Sequence, residues 1–189
     1  METHRHFAIF KPYGMVSQFI TNDRHSKNKK FLGELQDFPE GTMAIGRLDE
    51  PSEGLLLLTT DGKMSSKIRS RKTEKEYYVQ VDGLITDAAL KVLENGVEIS
   101  VEGSAYKTLP SKVTLFSIAP SLPKRAKKIR DDRHGPTSWI SIIITEGKFR
   151  QVRKMTAAVG FPTLRLVRYR VANITIDAMD AGDVKEIAL

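Results

Sequence analysis

Gly46-Arg47-Leu48-Asp49-Glu50-Pro51-Ser52-Glu53-Gly54-Leu55-Leu56-Leu57-Leu58-Thr59-Thr60-Asp61-Gly62 carries the pattern that organises the chain. Residues 54–59 are a strand-length apolar run and read as a buried strand. Asp61-Gly62 breaks that strand. Ahead of it, Gly46, Pro51 and Gly54 bound a loop that carries Asp49. Loops held on a rigid strand are where catalytic groups concentrate. An Asp in a loop also commonly caps a turn or pairs with a neighbour such as Arg47, so position alone leaves both readings open.

Outward from this stretch the chain alternates short strands with a few short helices. Residues 7–10 read as a buried strand ended by the turn Lys11-Pro12-Tyr13-Gly14. Residues 63–70 suit a short helix. Over 76–81, Tyr77, Val79 and Val81 share one face of a strand. Thr86 can N-cap a helix running through Leu93, with Gly96 just past its end. Residues 112–119 and 138–145 are strand-like, and 171–176 alternates as a strand would. After Gly147 the period changes: Val152, Met155 and Val159 recur at helical spacing and Gly160 can cap the end. Arg150, Arg153 and Lys154 then form one basic helix face. The expected fold is α+β, with a mixed or largely antiparallel central sheet flanked by short helices. Residues 1–189 read as a single domain, with room for two lobes, and 120–136 as a basic linker loop.

The chain has 189 residues, 30 Lys plus Arg against 23 Asp plus Glu, and a formal net charge of +7. That charge is clustered. Residues 147–170 hold seven basic residues and no acid, a second block is Lys124-Arg125-Ala126-Lys127-Lys128-Ile129-Arg130, and a third spans residues 24–30. Clustering of this kind is the footprint of a nucleic-acid binder. The absence of cysteine excludes disulfides, thiolate catalysis and iron–sulfur clusters. There is no phosphate-cradling glycine loop and no G-x-S-x-G elbow. His4, His6, His25 and His134 form no metal-binding motif, so no metal is expected. No apolar run approaches a membrane span, and no secretory signal is visible, which points to the cytoplasm and no membrane partner.

Four motifs in order carry a resemblance that covers nearly the whole chain. Lys11-Pro12-Tyr13-Gly14 is similar to an opening K-P-x-G. Gly46-Arg47-Leu48-Asp49 with 54–62 resembles a nucleophile motif. Lys75-Glu76-Tyr77-Tyr78-Val79 resembles K-x-Y-x-V, and residues 146–155 resemble a third conserved segment. Together they resemble the pseudouridine synthases of the branch that contains ribosomal small subunit pseudouridine synthase A and its large-subunit relatives. Residues 136–139 and 159–166 resemble a subgroup acting on the large subunit. Ser52 stands where threonine is common, and Arg150 where histidine is frequent.

The resemblance implies a pseudouridine synthase catalytic fold with a central active-site cleft. An S4-like RNA-binding domain is expected to be absent. It places Asp49 at the catalytic position, Tyr77 at the active-site tyrosine, and offers both Lys148 and Arg153 as the basic partner of Asp49. Arg47, Lys11, Arg150, Lys154, Arg165, Arg168, Lys127, Lys128 and Arg130 are the expected RNA contacts. The implied reaction isomerises one uridine of 23S rRNA, free or in an assembling large subunit, without cofactor and as a monomer. The alternative is a non-catalytic rRNA-binding or ribosome-assembly protein on the same fold. Asp49, Tyr77 and the third motif together favour the enzyme, since a pure binder needs none of them. A glycoside hydrolase would need a second carboxylate opposite Asp49, and the sequence places none.

Overall fold

The computed structural model describes residues 4–20, 28–70 and 72–189. Arg24, His25 and Lys27 of the third basic block lie outside them. The strands are β1 (His6–Lys11), β2 (Met43–Ala44), β3 (Glu53–Thr59), β4 (Lys75–Asp82), β5 (Glu98–Val101), β6 (Ser104–Lys107), β7 (Lys112–Leu115), β8 (Thr137–Ile144), β9 (Thr163–Val171), β10 (Ile174–Thr175) and β11 (Val184–Ile187). The α-helices are α1 (Gly62–Ile68), α2 (Asp87–Glu94) and α3 (Gln151–Ala158). The fold is α+β, as expected. No helix among the described residues is long and apolar enough to cross a membrane.

The chain divides into two compact units. Unit 1 comprises Met1–Ser70, Pro123–Lys127 and Arg168–Leu189, and its strands neighbour in the order β11-β1-β3-β9, with β2 on β3 and β10 on β9. β3 is buried at every position, as the unbroken leucine run predicts. β1 pairs antiparallel with it, setting Phe7 opposite Leu58 and Ile9 opposite Leu56. These four residues pack with Met15 and Leu32, against Phe19, Leu35 and Phe38. Burying each such side chain stabilises the fold by roughly 1.5–3 kcal/mol. The Phe38 ring meets Phe7 and Phe19 edge-on at 5.3 and 5.4 Å.

Unit 2 comprises Arg71–Leu122 and Lys128–Val167, with strand order β9-β4-β8-β7 and a separate β5–β6 hairpin. β9 contributes its first half here and its second half to unit 1. β4 and β8 pair antiparallel from Lys75↔Ile144 to Asp82↔Thr137, and Tyr77, Val79 and Val81 are the buried face of β4. The Thr86 hydroxyl accepts the Ala89 N–H and starts α2, and Gly96 follows it at φ +84°. Between β5 and β6, Glu102 and Gly103 both have positive φ, the geometry of a tight two-residue hairpin turn.

Four local expectations change. Residues 163–171 form a nine-residue strand that the basic composition had hidden. Residues 171–176 are not one strand: Val171 pairs with Ile174 across a turn in which Ala172 has φ +52°. The strand expected over 112–119 ends at Leu115. Arg150 is not helical but caps α3 in the left-handed region at φ +52°, so it precedes the Arg153–Lys154 face instead of sharing it.

Gly96 and Gly103 separate two physical costs. At both, φ exceeds +80°, so alanine carries a left-handed strain of about 1–2 kcal/mol. A Cβ on Gly103 meets nothing within 4 Å, whereas one on Gly96 falls 2.2 Å from the Thr108 carbonyl oxygen. Urea unfolding should show Gly96→Ala losing clearly more stability than Gly103→Ala. Equal losses would mean that the Thr108 backbone moves aside without cost.

Candidate active site

Asp49 lies in unit 1, half-buried, on a loop whose backbone is held from several sides. Gly46 takes φ +74° and turns the chain into the loop. The Ser17 hydroxyl accepts the Leu48 N–H at 2.9 Å and donates to the Leu48 carbonyl at 2.8 Å. The Ser52 N–H donates to the Asp49 backbone carbonyl at 2.9 Å and closes a turn over residues 49–52. The Gly14 N–H donates to the Glu50 carbonyl at 2.9 Å. The loop backbone is therefore fixed before any substrate arrives, as a precise site requires.

Lys11 has no exposed surface. Its ammonium donates to the carbonyls of Met15 at 2.6 Å, Pro12 at 2.9 Å and Glu50 at 3.3 Å. Three acceptors match the three protons of an ammonium. Burial pulls its pKa down to about 7, against the upward pull of Glu53, Glu50 and Asp49; Arg168 adds to the downward pull. The K-P-x-G turn and the Asp49 loop are thus one cross-linked structure. The expectation that Lys11 contacts RNA is corrected, because a phosphate cannot reach it.

Arg168 is corrected for the same reason. It is 4% exposed, and its Nε donates to the Leu55 carbonyl at 2.7 Å, bracing the strand that follows the loop. Arg165 is also buried. Arg125, which the sequence left as one charge in a run, pairs through Nε with the buried Glu53 at 3.3 Å and lies 4.0 Å over the Tyr13 ring. No local signal marks it, because both partners are more than seventy residues away in sequence. Of the expected contacts in unit 1, Arg47 and Lys127 are exposed.

Tyr77, Lys148 and Arg153 belong to unit 2. Tyr77 is 8% exposed on β4, opposite Ile142. Lys148 is half-buried, with its ammonium 4.7 Å over the Tyr106 ring. Arg153 is half-buried on α3, and Lys154 donates to the Ser100 carbonyl at 2.7 Å. Glu146 and Gln151, also in the third motif, hold the local structure around Lys148. Glu146, 3% exposed, accepts from Tyr106 Oη, the Leu109 N–H and Gln151 Nε2 at 2.6–2.8 Å. Arg150 and Lys128 are exposed, while Arg130 pairs with Asp82 and also donates to the Pro136 carbonyl at 3.4 Å. Among the described residues no group of three or more His, Cys, Asp or Glu side chains is arranged for a metal ion.

The low pKa of Lys11 has a measurable consequence. The unfolded chain holds this proton up to about pH 10, near the ordinary lysine value, and the folded chain releases it near 7. In the interval the unfolded state binds more protons, so stability rises with pH. Relative to Lys11→Met, the wild type should gain up to about 1 kcal/mol per pH unit between pH 7 and 9 in urea unfolding. Parallel stability curves for the two proteins would show that Lys11 stays charged in the fold.

Comparison with known proteins gives the family. A family model described as RNA pseudouridylate synthase matches residues 5–158. Ribosomal large subunit pseudouridine synthase E of Vibrio parahaemolyticus is 42% identical, over 98% of this chain and 75% of its own. The protein of the same name from Xanthomonas axonopodis pv. citri is 42% identical over 89% of this chain and 86% of its own. A solved structure described as a pseudouridylate synthase superposes with a TM-score of 0.75 at 25% identity, covering 100% of this chain and 72% of that one. All four motifs, from Lys11 to Met155, fall inside the matched region, and the chain belongs to the RNA pseudouridylate synthase family.

Proposed function

We propose that this RNA pseudouridine synthase, an isomerase, converts one uridine of 23S rRNA to pseudouridine, with Asp49 as the catalytic carboxylate. The observation that carries the substrate reading is the 42% identity, over 98% of the chain, to a protein named for the large ribosomal subunit. In the reaction the N1–C1′ bond of the uridine breaks, the base turns, and a C5–C1′ bond forms. C5 loses a proton and N1 carries one, so atoms and electrons balance without oxidant, nucleotide or metal. The enzyme is read as cofactor-independent on that ground.

Asp49 acts as nucleophile or as a stabiliser of charge on the sugar while the glycosidic bond is open. Lys148 or Arg153 would supply the basic group of the reaction, stabilising negative charge as it develops. Tyr77 would stack on the uracil or take a proton. The target uridine must leave its stack, which costs a few kcal/mol, and phosphate contacts offset this. The exposed cations Arg47, Lys127, Lys128 and Arg150 suit those contacts, and Lys154 is a further candidate. A monomer working in the cytoplasm, on free rRNA or an assembling large subunit, completes the reading.

The test is to incubate wild type and Asp49→Asn with unmodified 23S rRNA transcript, in chelator and without added nucleotide. New pseudouridines are located by carbodiimide-blocked primer extension. One new stop with wild type and none with Asp49→Asn, at equal RNA affinity, is expected. Turnover by Asp49→Asn above a few per cent of wild type would remove Asp49 from the catalytic role. A stop only on assembling particles would make the particle the substrate.

The loop residues give a second test. Lys127→Ala with Lys128→Ala should leave the melting temperature unchanged. It should weaken RNA binding and reduce the log–log salt slope by about 0.7–0.9 for each phosphate no longer neutralised. An unchanged slope would remove these lysines from the interface.

A further inference from the structure

The turn leading into α3 carries an aromatic ring that the chemistry above does not use. Phe149 is 70% exposed. A single exposed apolar ring is ordinary on a protein surface. What sets Phe149 apart is how firmly its turn is held. The Lys148 N–H donates to Gln151 Oε1 at 2.9 Å, and the Gln151 N–H donates to the Lys148 carbonyl at 3.1 Å, so 148–151 closes on itself. Gln151 Nε2 donates to the buried Glu146 at 2.6 Å, which anchors the turn in the unit's interior. Arg150, next in sequence, holds the left-handed conformation that points the chain into α3.

The surroundings are cationic. The Lys154 ammonium is 5.4 Å from the ring centroid, Arg150 is exposed, and no acid occurs in residues 147–170. An apolar protein partner would have to desolvate these charges, whereas RNA brings phosphates to them. We infer that Phe149 is a stacking platform for an unstacked base of the substrate RNA. Every base has a π-face, so such a platform adds affinity with little sequence preference. A ring on a closed turn loses little conformational freedom on binding.

This inference rests on the reading that RNA is the substrate. Phe149→Ala, Phe149→Leu, Phe149→Tyr and Lys154→Ala are compared with wild type on 23S rRNA transcript, by filter binding across a salt series and by multiple-turnover kinetics. Phe149→Ala and Phe149→Leu should raise Kd and KM about 10-fold, the scale of a single base–aromatic stack. The kcat and melting temperature should stay within a factor of two and within a degree or so, and Phe149→Tyr should restore affinity. The salt slope should be unchanged for the Phe149 variants, because no charge is removed, and flatter for Lys154→Ala. A Kd for Phe149→Ala within twofold of wild type would overturn the inference. So would Phe149→Leu binding like wild type, since that would make the interaction merely apolar. Wild type that binds the transcript but forms no pseudouridine on any large-subunit substrate would instead overturn the functional reading, while the affinity comparison still decides the role of Phe149.

Discussion

One buried lysine holds the loop that carries Asp49. Lys11 sits at the end of β1, yet its three protons reach across to Pro12, Met15 and Glu50, and so join the first motif to the second. Removing a cation from water is costly, and here three carbonyls and three nearby carboxylates offset that cost only in part, so the pKa falls to about 7. The chemistry also explains why the residue is lysine. An ammonium presents three donors tetrahedrally, which suits carbonyls arriving from different directions. A guanidinium is a flat fork that suits a carboxylate or phosphate. Remove this cross-link and Gly14, Glu50 and the Asp49 turn lose their common anchor.

The positive charge of the chain therefore has two kinds of member. Some cations are internal braces: Lys11 on carbonyls, Arg125 on Glu53, Arg168 on the Leu55 carbonyl. Others stand in solvent, as Arg47, Lys127 and Lys128 do. Only the second kind can meet a phosphate without rearrangement. Net charge counts both kinds alike, so it overstates the surface offered to RNA. The braces lie in unit 1 around the loop and strand that carry Asp49, where rigidity matters most.

What could be read from the sequence follows from the range of the interactions involved. The leucine run of β3, the alternation of β4 and the Thr86 cap of α2 are set by neighbours within a few residues, and all were legible. The long strand β9 was not, because Arg165 and Arg168 look like surface residues until distant partners are known. The hairpin at Ala172 was missed because alanine gives no hint of a positive φ. Of the candidate site residues, Asp49 and Tyr77 are the ones the motifs single out. The roles of Ser17, Arg125 and Gln151 were not legible, since each depends on a hydrogen bond or ion pair that only the folded chain creates.

The pairing of β1 with β11 bears on how the protein is made. His6 faces Ile187, and Arg5 reaches Glu186, so unit 1 joins residues 181 positions apart. A ribosome synthesising this protein releases β1 long before β11. Unit 2, drawn from the middle of the chain, has all its strands in hand while unit 1 still lacks an edge. In the meantime β1 carries an apolar face and an unpaired backbone edge, the features that make nascent chains associate wrongly. The enzyme's yield in a cell is thus tied to how soon β11 emerges, and mutations on its solvent side would act on abundance rather than on turnover.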